Sequence, residues 1–330
     1  MSGFRLGVIG TGIVAALHLE AARAVPGVRV TAVCDIHEAA AVQAAAGTGA
    51  TAYTDHRRML TREPLDGVVI TAPHALHAGM TLDAAAAGVP VLVEKPMATT
   101  VADCTAMIEA CAAAGVVLAV GHVVRFDPAA HRVARLLRSG DLGDVLAIHH
   151  HRTAHYQRGS RPGWFFDPAM AGGGIVMNVG IHGLDRIQWA GDGTAESATA
   201  RVWHRDGHAV ETDAMGSVTL SSGVAAGFLL TSAAGRFHDE TTVVCSRGAL
   251  RWSSTDGTWA SRDGAPETQV MAPGGGTGEA FTAQLADFVA ACRGHRPPEV
   301  GGDYGRSVVA TVLAIYASAA SGRPASLCRS

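Results

Sequence analysis

The run Phe4-Arg5-Leu6-Gly7-Val8-Ile9-Gly10-Thr11-Gly12-Ile13-Val14-Ala15 decides the reading of this chain. Phe4–Ile9 is apolar enough for a buried strand, and Gly10 to Ala15 spell GxGxxA. In that pattern the first glycine permits a tight turn and the second lets backbone approach a pyrophosphate. The small last residue lets the next helix pack closely. A helix over Ile13–Ala24, stopped by Pro26-Gly27, would aim its N-terminal N–H groups at an anion. A second strand, Val28–Cys34, ends at Asp35, 25 residues after Gly10. That is near the spacing at which a carboxylate accepts from ribose hydroxyls. Gly10, Gly12, Ile13 and Asp35 are therefore assigned to dinucleotide binding. Ile36, His37 and Glu38 follow, with no Arg or Lys to pair a 2′-phosphate, so NAD is favoured over NADP.

Outward from this motif the first half alternates. Gly67–Thr71, Val89–Val93 and Gly115–Val120 are continuous apolar runs bounded by turn residues, as in strands buried on both faces. A short run at Thr51–Tyr53 joins them. Helical patterns cover about Ile36–Ala46, Leu76–Ala87 and Val101–Ala114, the last opened by a capping box of Thr100 and Asp103. Strand–helix alternation implies a doubly wound parallel sheet over residues 1–122. From 123 to 330 the pattern changes. A helix over Pro128–Arg138, a strand over Val145–His151 and a helix over Ile175–Trp189 lead to short alternating strands from Glu196 to Trp259. Turns at Asp206-Gly207, Ser221–Gly223 and Arg247-Gly248 suit an antiparallel sheet. Helices over Thr277–Arg293 and Tyr304–Ser321 close the chain.

Composition excludes several classes. With 48% hydrophobic and 17% charged residues, the 330-residue chain can build large cores without disulfides. A net charge of −3 without a basic stripe argues against nucleic acid. The start lacks the basic flank and apolar core of a signal peptide, and no run of about 18 apolar residues offers a membrane span. The six cysteines, Cys34 to Cys328, form no CxxC, so reduced cytoplasmic thiols are expected and no zinc site. His149, His150 and His151 are consecutive, but in a strand only the outer two share a face. A polar strand is expected there, not a metal site.

Ligands in open α/β sheets bind beyond the carboxyl ends of strands. Gly10, Asp35, Thr71, Pro73, Glu94, Lys95 and His122 all fall at such ends, with His77 close by. In the second half the densest motif is Gly172-Gly173-Gly174-Ile175-Val176-Met177-Asn178-Val179-Gly180-Ile181-His182-Gly183-Leu184-Asp185. Asn178 and His182 share a face of a regular helix, and Asp185 is placed to orient the imidazole.

With these residues in view, the chain resembles the glucose–fructose oxidoreductase, inositol dehydrogenase and rhizopine catabolism (Gfo/Idh/MocA) family. The likeness rests on GxGxxA with Asp35, Thr71-Ala72-Pro73 with His77, Glu94-Lys95-Pro96, His122 to Pro128, Ala171 to Asp185, and the tail from Phe281 through Ala314-Ile315-Tyr316. It implies an N-terminal Rossmann domain and a C-terminal α+β domain with an open, mostly antiparallel sheet, the last helix packing back between them. It also implies a bound nicotinamide nucleotide, a sugar or cyclitol substrate, and homodimers or homotetramers. By motif position Lys95 and His182 take the catalytic roles. Asn178 stands where inositol-dehydrogenase-like members carry Asp.

The expected reaction moves hydride between nicotinamide and a secondary alcohol or ketone, Lys95 and His182 handling the proton. Thr71, Pro73, His77, Glu94 and Lys95 join the cofactor contacts. His122, Arg161, Trp164, Asn178 and His182 are the candidate substrate contacts. Alternatives are an NAD-dependent glycosidase using transient oxidation, or a non-catalytic dinucleotide-binding regulator. The resemblance also leads one to expect a cis Lys95–Pro96 bond.

Overall fold

A computed structural model describes residues 3–205, 207–232, 235–274 and 276–327. The chain forms two compact units, Met1–Phe126 with Gly276–Arg306, and Asp127–Gly275 with Ser307–Ser330. The expected turn residue Asp206 and the thiol of Cys328 lie outside the described residues.

The first unit is built on six strands: β1 (Phe4–Ile9), β2 (Val28–Cys34), β3 (Thr51–Tyr53), β4 (Gly67–Ile70), β5 (Val91–Glu94) and β6 (Leu118–Gly121). They pair in the order β3-β2-β1-β4-β5-β6, all parallel. This is the dinucleotide-binding order, reversed beside β1. Helices α1 (Ile13–Ala24), α2 (Glu38–Ala45), α3 (His56–Arg62), α4 (His77–Ala86) and α5 (Val101–Ala114) connect the strands. Thr100 caps α5 as its sequence predicts, accepting from the Asp103 N–H at 3.0 Å. α2 starts later than its pattern suggests, because the His37 N–H turns back to Asp35 Oδ1 at 3.0 Å. Helix α3 was not expected. Only Met59 and Leu60 anchor it, and its signal is the cap, Asp55 accepting from Arg57 N and Arg58 N.

Gly276–Arg306 lies beyond residue 123 in sequence yet packs with this first unit. Its helix places Phe281, Leu285, Phe288 and Val289 in one core with Leu6, Val8, Leu19 and Val33. Burying four such side chains contributes several kcal/mol, at about 1.5–3 kcal/mol for a full-sized one.

The second unit contains helices α6 (Pro128–Arg138), α7 (Pro168–Ala171) and α8 (Ile181–Ala190). Its strands are β7 (Val145–Thr153), β8 (Ala195–Trp203), β9 (Asp213–Leu220), β10 (Ala225–Thr231), β11 (His238–Cys245), β12 (Gly248–Ser253), β13 (Gly257–Arg262), β14 (Thr268–Met271) and β15 (Ala325–Ser326). They form one sheet in the order β14-β13-β12-β11-β7-β10-β9-β8-β15, antiparallel except for β7 beside β10. Helix α9 (Thr277–Cys292) belongs to the first unit, and α10 (Gly302–Ser321) is the last helix. The sheet lays one face against α8. On the other face stand His149, His151, Trp203, Met215 and Val244, the last three exposed.

Under α8 the sheet carries buried charge. Arg186 donates to both oxygens of Asp239, at 3.0 and 3.2 Å, and its guanidinium lies 4.2 Å over the Trp252 ring. Arg152 reaches the same carboxylate at 3.4 Å. His150, beside them, donates or accepts at Thr241 Oγ1, 2.9 Å away, and burial pushes its pKa down to about 3, so it stays neutral. Among the described residues no helix is long and apolar enough to cross a membrane, and no cluster of three or more His, Cys, Asp or Glu side chains could hold a metal.

Asp239 sets a pH test of this unit. Burial raises its pKa, but Arg186 and Arg152 outweigh that and hold it at about 2. Its unfolded value is about 3.9. A depressed carboxyl contributes stability that is full above the unfolded value and lost as pH falls through the folded one. Asp239→Asn should cost about 3–5 kcal/mol at pH 7, since it leaves the buried Arg186 and the half-buried Arg152 without their anion. In urea unfolding the gap between wild type and variant should narrow as pH drops from 4 towards 2. A gap independent of pH would contradict the assignment.

Candidate functional site

In the first unit the candidate residues collect along the carboxyl ends of the strands. Gly10 follows β1 with φ +89°, and a Cβ there would sit 2.9 Å from Ala72 N. Thr71 closes the turn from the β4 side, its N–H donating to Ile9 O at 2.8 Å and its hydroxyl to Gly10 O at 3.0 Å. Gly12 differs. A Cβ at Gly12 would meet nothing within 4 Å, so the protein's own packing does not demand glycine there. The open space, above uncapped N–H groups of α1, fits a diphosphate.

Asp35 lies beside this turn. Its Oδ2 accepts from Thr11 N at 3.0 Å and Thr11 Oγ1 at 2.9 Å. Burial works against its charge, but the bonds from His37 and Thr11 prevail and hold its pKa below the ordinary range. The anion thus stays ready for hydroxyl donors and hostile to phosphate. Ile13 and Ile36 flank it, 76% and 78% exposed, and a bound base would remove apolar surface from water. These residues fit a dinucleotide.

Lys95 follows β5, and its peptide bond to Pro96 is cis, as expected. Glu94 before it is buried. Its Oε1 accepts from His18 Nε2 at 2.8 Å and its Oε2 from Lys95 N at 3.2 Å. Burial alone would raise the carboxyl, but His18 and the Lys95 charge hold it below the usual value. Glu94 is therefore ionised, and His18 Nε2 carries the hydrogen. Room for the carboxylate comes from Gly121, where a Cβ would press on Glu94 at 3.1 Å.

His77 is fully buried, its ring nitrogens facing Pro96 O at 2.9 Å and Ala72 O at 2.8 Å. Burial holds its pKa below the ordinary histidine value. The ring packs between the loop after β4 and the loop after β5, and as a neutral imidazole it donates to one of these two carbonyls. Pro73 precedes a single 3₁₀ turn, His74–Leu76. His122 is buried edge-to-face against Tyr304, with ring centres 6.1 Å apart.

In the second unit Val176–Gly180 forms a π-helical turn before α8, where a regular helix over Ile175–Trp189 was expected. Its N-terminal donors are capped by a carboxylate absent from the sequence expectations. Buried Glu211 accepts from Gly174 N at 2.7 Å, Val176 N at 2.9 Å and the Tyr316 hydroxyl at 2.8 Å. Met177 N in turn donates to Tyr316 Oη at 3.2 Å. These bonds take the first donors of the segment, and burial nevertheless keeps the Glu211 pKa raised. The glycines make way for both partners. A Cβ at Gly173 would lie 2.1 Å from Tyr316 Oη, and one at Gly174 would lie 1.9 Å from Glu211 O.

Four candidate residues of this unit lie around the motif. Asn178 is buried and spends its amide donors on Tyr156 Oη at 2.9 Å, Gly174 O at 3.1 Å and Gly173 O at 3.3 Å. Tyr156 donates to Phe165 O at 2.9 Å. Arg161 stacks 5.2 Å from the Tyr156 ring centre and 5.5 Å from that of Phe165. Trp164 lies against Phe165, 4.0 Å between ring centres. Asn178, Arg161 and Trp164 thus share one aromatic cluster built on Tyr156 and Phe165. His182 is half-buried on α8, and Asp185 is buried on the same helix. His18, Tyr156, Glu211 and Tyr316 were missed by sequence reasoning.

The Gfo/Idh/MocA model "Oxidoreductase family, NAD-binding Rossmann fold" matches residues 4–122. The "GFO/IDH/MocA C-terminal domain" model matches residues 130–251. Inositol 2-dehydrogenase 2 of Saccharopolyspora erythraea is 35% identical over 61% of this chain and 58% of its own length. The chain thus spans little more than half of that relative. 1,5-Anhydro-D-fructose reductase of Ensifer adhaerens is 29% identical over 98% of both chains. The crystal structure of an oxidoreductase domain protein from Kribbella flavida shares the fold, with a TM-score of 0.92 over 100% of both chains at 23% identity.

Two outcomes follow from the geometry. Replacing Asp35 by Ser and Ile36 by Arg should raise the NADP/NAD ratio of kcat/KM on the order of tenfold or more, as a repelling anion leaves and a phosphate partner arrives. A wild type already faster with NADP would contradict this role. Gly174→Ala should destabilise the fold by about 1–3 kcal/mol through overpacking against Glu211 backbone. Thermal denaturation reads it, and an unchanged midpoint would refute the close approach.

Proposed function

Because this chain belongs to the Gfo/Idh/MocA family of NAD-binding oxidoreductases, we propose that it interconverts a secondary alcohol and a ketone on a sugar, a cyclitol or a derivative of one. The observation that carries this reading is Lys95 on the dinucleotide rim, on the backbone that donates to the buried Glu94 anion. The names of the relatives, inositol 2-dehydrogenase and anhydrofructose reductase, support the substrate class. Bound NAD supplies the hydride acceptor for alcohol oxidation. Gly10, Gly12 and the start of α1 hold the diphosphate, and Asp35 the ribose.

Lys95 hydrogen-bonds the reacting oxygen and offsets alkoxide charge as it develops. His182 takes the hydroxyl proton and returns it in the reverse direction. Glu94 does not contact substrate; its anion, fixed by His18, orients the Lys95 backbone. Trp164 contributes to the substrate surface, His122 is buried against Tyr304 in its own unit and does not, and Asn178 holds the aromatic cluster in place. We also place a cytoplasmic homodimer or homotetramer contact on the open sheet face, supported by exposed Trp203, Met215 and Val244.

Lys95→Ala should lower kcat by on the order of 10²–10³, the usual loss for one positioned proton-transfer or oxyanion contact. NADH affinity, followed by nicotinamide fluorescence, should change far less. A polyol and sugar panel scored at the nicotinamide absorbance band measures the rate. An unchanged kcat would remove Lys95 from the chemistry.

A further inference from the structure

We infer that the second unit binds an anionic substituent of the substrate, a carboxylate or a phosphate, through the guanidinium of Arg161. Two observations carry this, and the word "substrate" rests on the function proposed above. The first is the state of Arg161 itself. It is partly buried, and its Nε is buried with no hydrogen-bond partner among the described residues. Burial depresses its pKa, and the group that works in favour of its charge is the Tyr156 hydroxyl. That phenol is itself pushed well above its ordinary value by burial, so it is neutral. A desolvated cation normally has a paired anion. Here two aromatic rings cover the guanidinium, and among the described residues no carboxylate pairs with it.

The second observation is the local balance of charge. Arg152 feels both Arg161 and Arg186 as like charges. Asp239 is the carboxylate bound to Arg152 and Arg186, and its two oxygens are already committed to them. His150 is neutral. Two of these three guanidinium groups therefore hold the one anion, and Arg161 is not among its partners. Arg158, on the same loop as Arg161, bonds His208 Nδ1 at 3.4 Å and also lacks a carboxylate partner among the described residues. The cluster is short of negative charge at Arg161, whose planar fork matches a carboxylate or a phosphate. Tyr156 links Arg161 to Asn178 and so to the turn that enters α8, which carries His182.

The test uses the NADH-loaded protein and equilibrium titration by calorimetry. D-Glucuronate and D-galacturonate are compared with D-glucose and D-galactose, and myo-inositol 1-phosphate with myo-inositol, at constant ionic strength. At least one charged probe should bind roughly 10- to 100-fold tighter than its neutral parent, the worth of a charge-assisted bond. In Arg161→Gln that ratio should collapse towards one, and Arg161→Lys should keep part of it. Preference among the probes separates the carboxylate from the phosphate source. The inference is overturned if no charged probe outbinds its parent, or if Arg161→Gln leaves the ratio intact. Turnover of the same panel is read separately at the nicotinamide band. Charge discrimination without hydride transfer would sink the redox reading alone, and turnover of neutral polyols without discrimination would sink the anion site alone.

Discussion

The carboxylate of Glu94 is shut off from water, and a buried anion must find its donors inside the protein. It finds them in His18 and in the backbone of Lys95. That constraint fixes much of what surrounds it. Helix α1 must start at the Gly10–Gly12 turn for His18 to arrive under β5. Residue 121 on the neighbouring strand must be glycine-sized to leave space. Removing the imidazole would strand a buried charge, which costs more than an ordinary hydrogen bond is worth. The rim that binds dinucleotide and the backbone that carries Lys95 are thus held by one buried carboxylate and its donors.

The same logic recurs in the second unit with other partners. Glu211 is answered by two backbone N–H groups and the Tyr316 hydroxyl, and Asp239 by two arginines. In each case the donors come from elements far apart in sequence, so the carboxylate locks tertiary structure and not just a turn. Glu211 does this for the glycine-rich entry to α8. Three consecutive glycines there read as freedom, yet Gly173 and Gly174 are closely hemmed in by Tyr316 and Glu211. The segment is closely packed because its side chains are absent and its neighbours' polar groups occupy the space.

The parallel sheet was legible because strands buried on both faces are written as uninterrupted apolar runs, and because β1, its turn and α1 form one contiguous motif. Helix α3 escaped notice since two apolar residues carry no period. The candidate residues at strand ends were legible from topology alone. Their supports were not. His18 and Glu94 are 76 residues apart, and Gly174 and Glu211 are 37 apart. Neither pairing leaves a periodic trace. The π turn was illegible because the spacing of Asn178 and His182 is compatible with a regular helix, and the carboxylate that caps its entry arrives from the approach to β9. The missing anion at Arg161 shows only when the partners of every nearby cation are known.

Asn178 illustrates how such supports select a residue. An amide can donate two hydrogens, and this one directs its nitrogen to the Tyr156 hydroxyl and to the carbonyls of Gly173 and Gly174. A carboxylate has no hydrogen to give once ionised. Asp at this position would aim lone pairs at two carbonyl oxygens, in the backbone that the Glu211 carboxyl group organises. Relief would require protonation or a different path for the glycine segment. Tyr156 would lose the donor that lets its own hydrogen point to Phe165 O, and the aromatic support of Arg161 would loosen with it. The departure from the Asp of inositol-dehydrogenase-like sequences is therefore a property of the whole cluster. With Asn here, position 178 offers a neutral amide whose donors are taken up inside the protein, and no carboxylate.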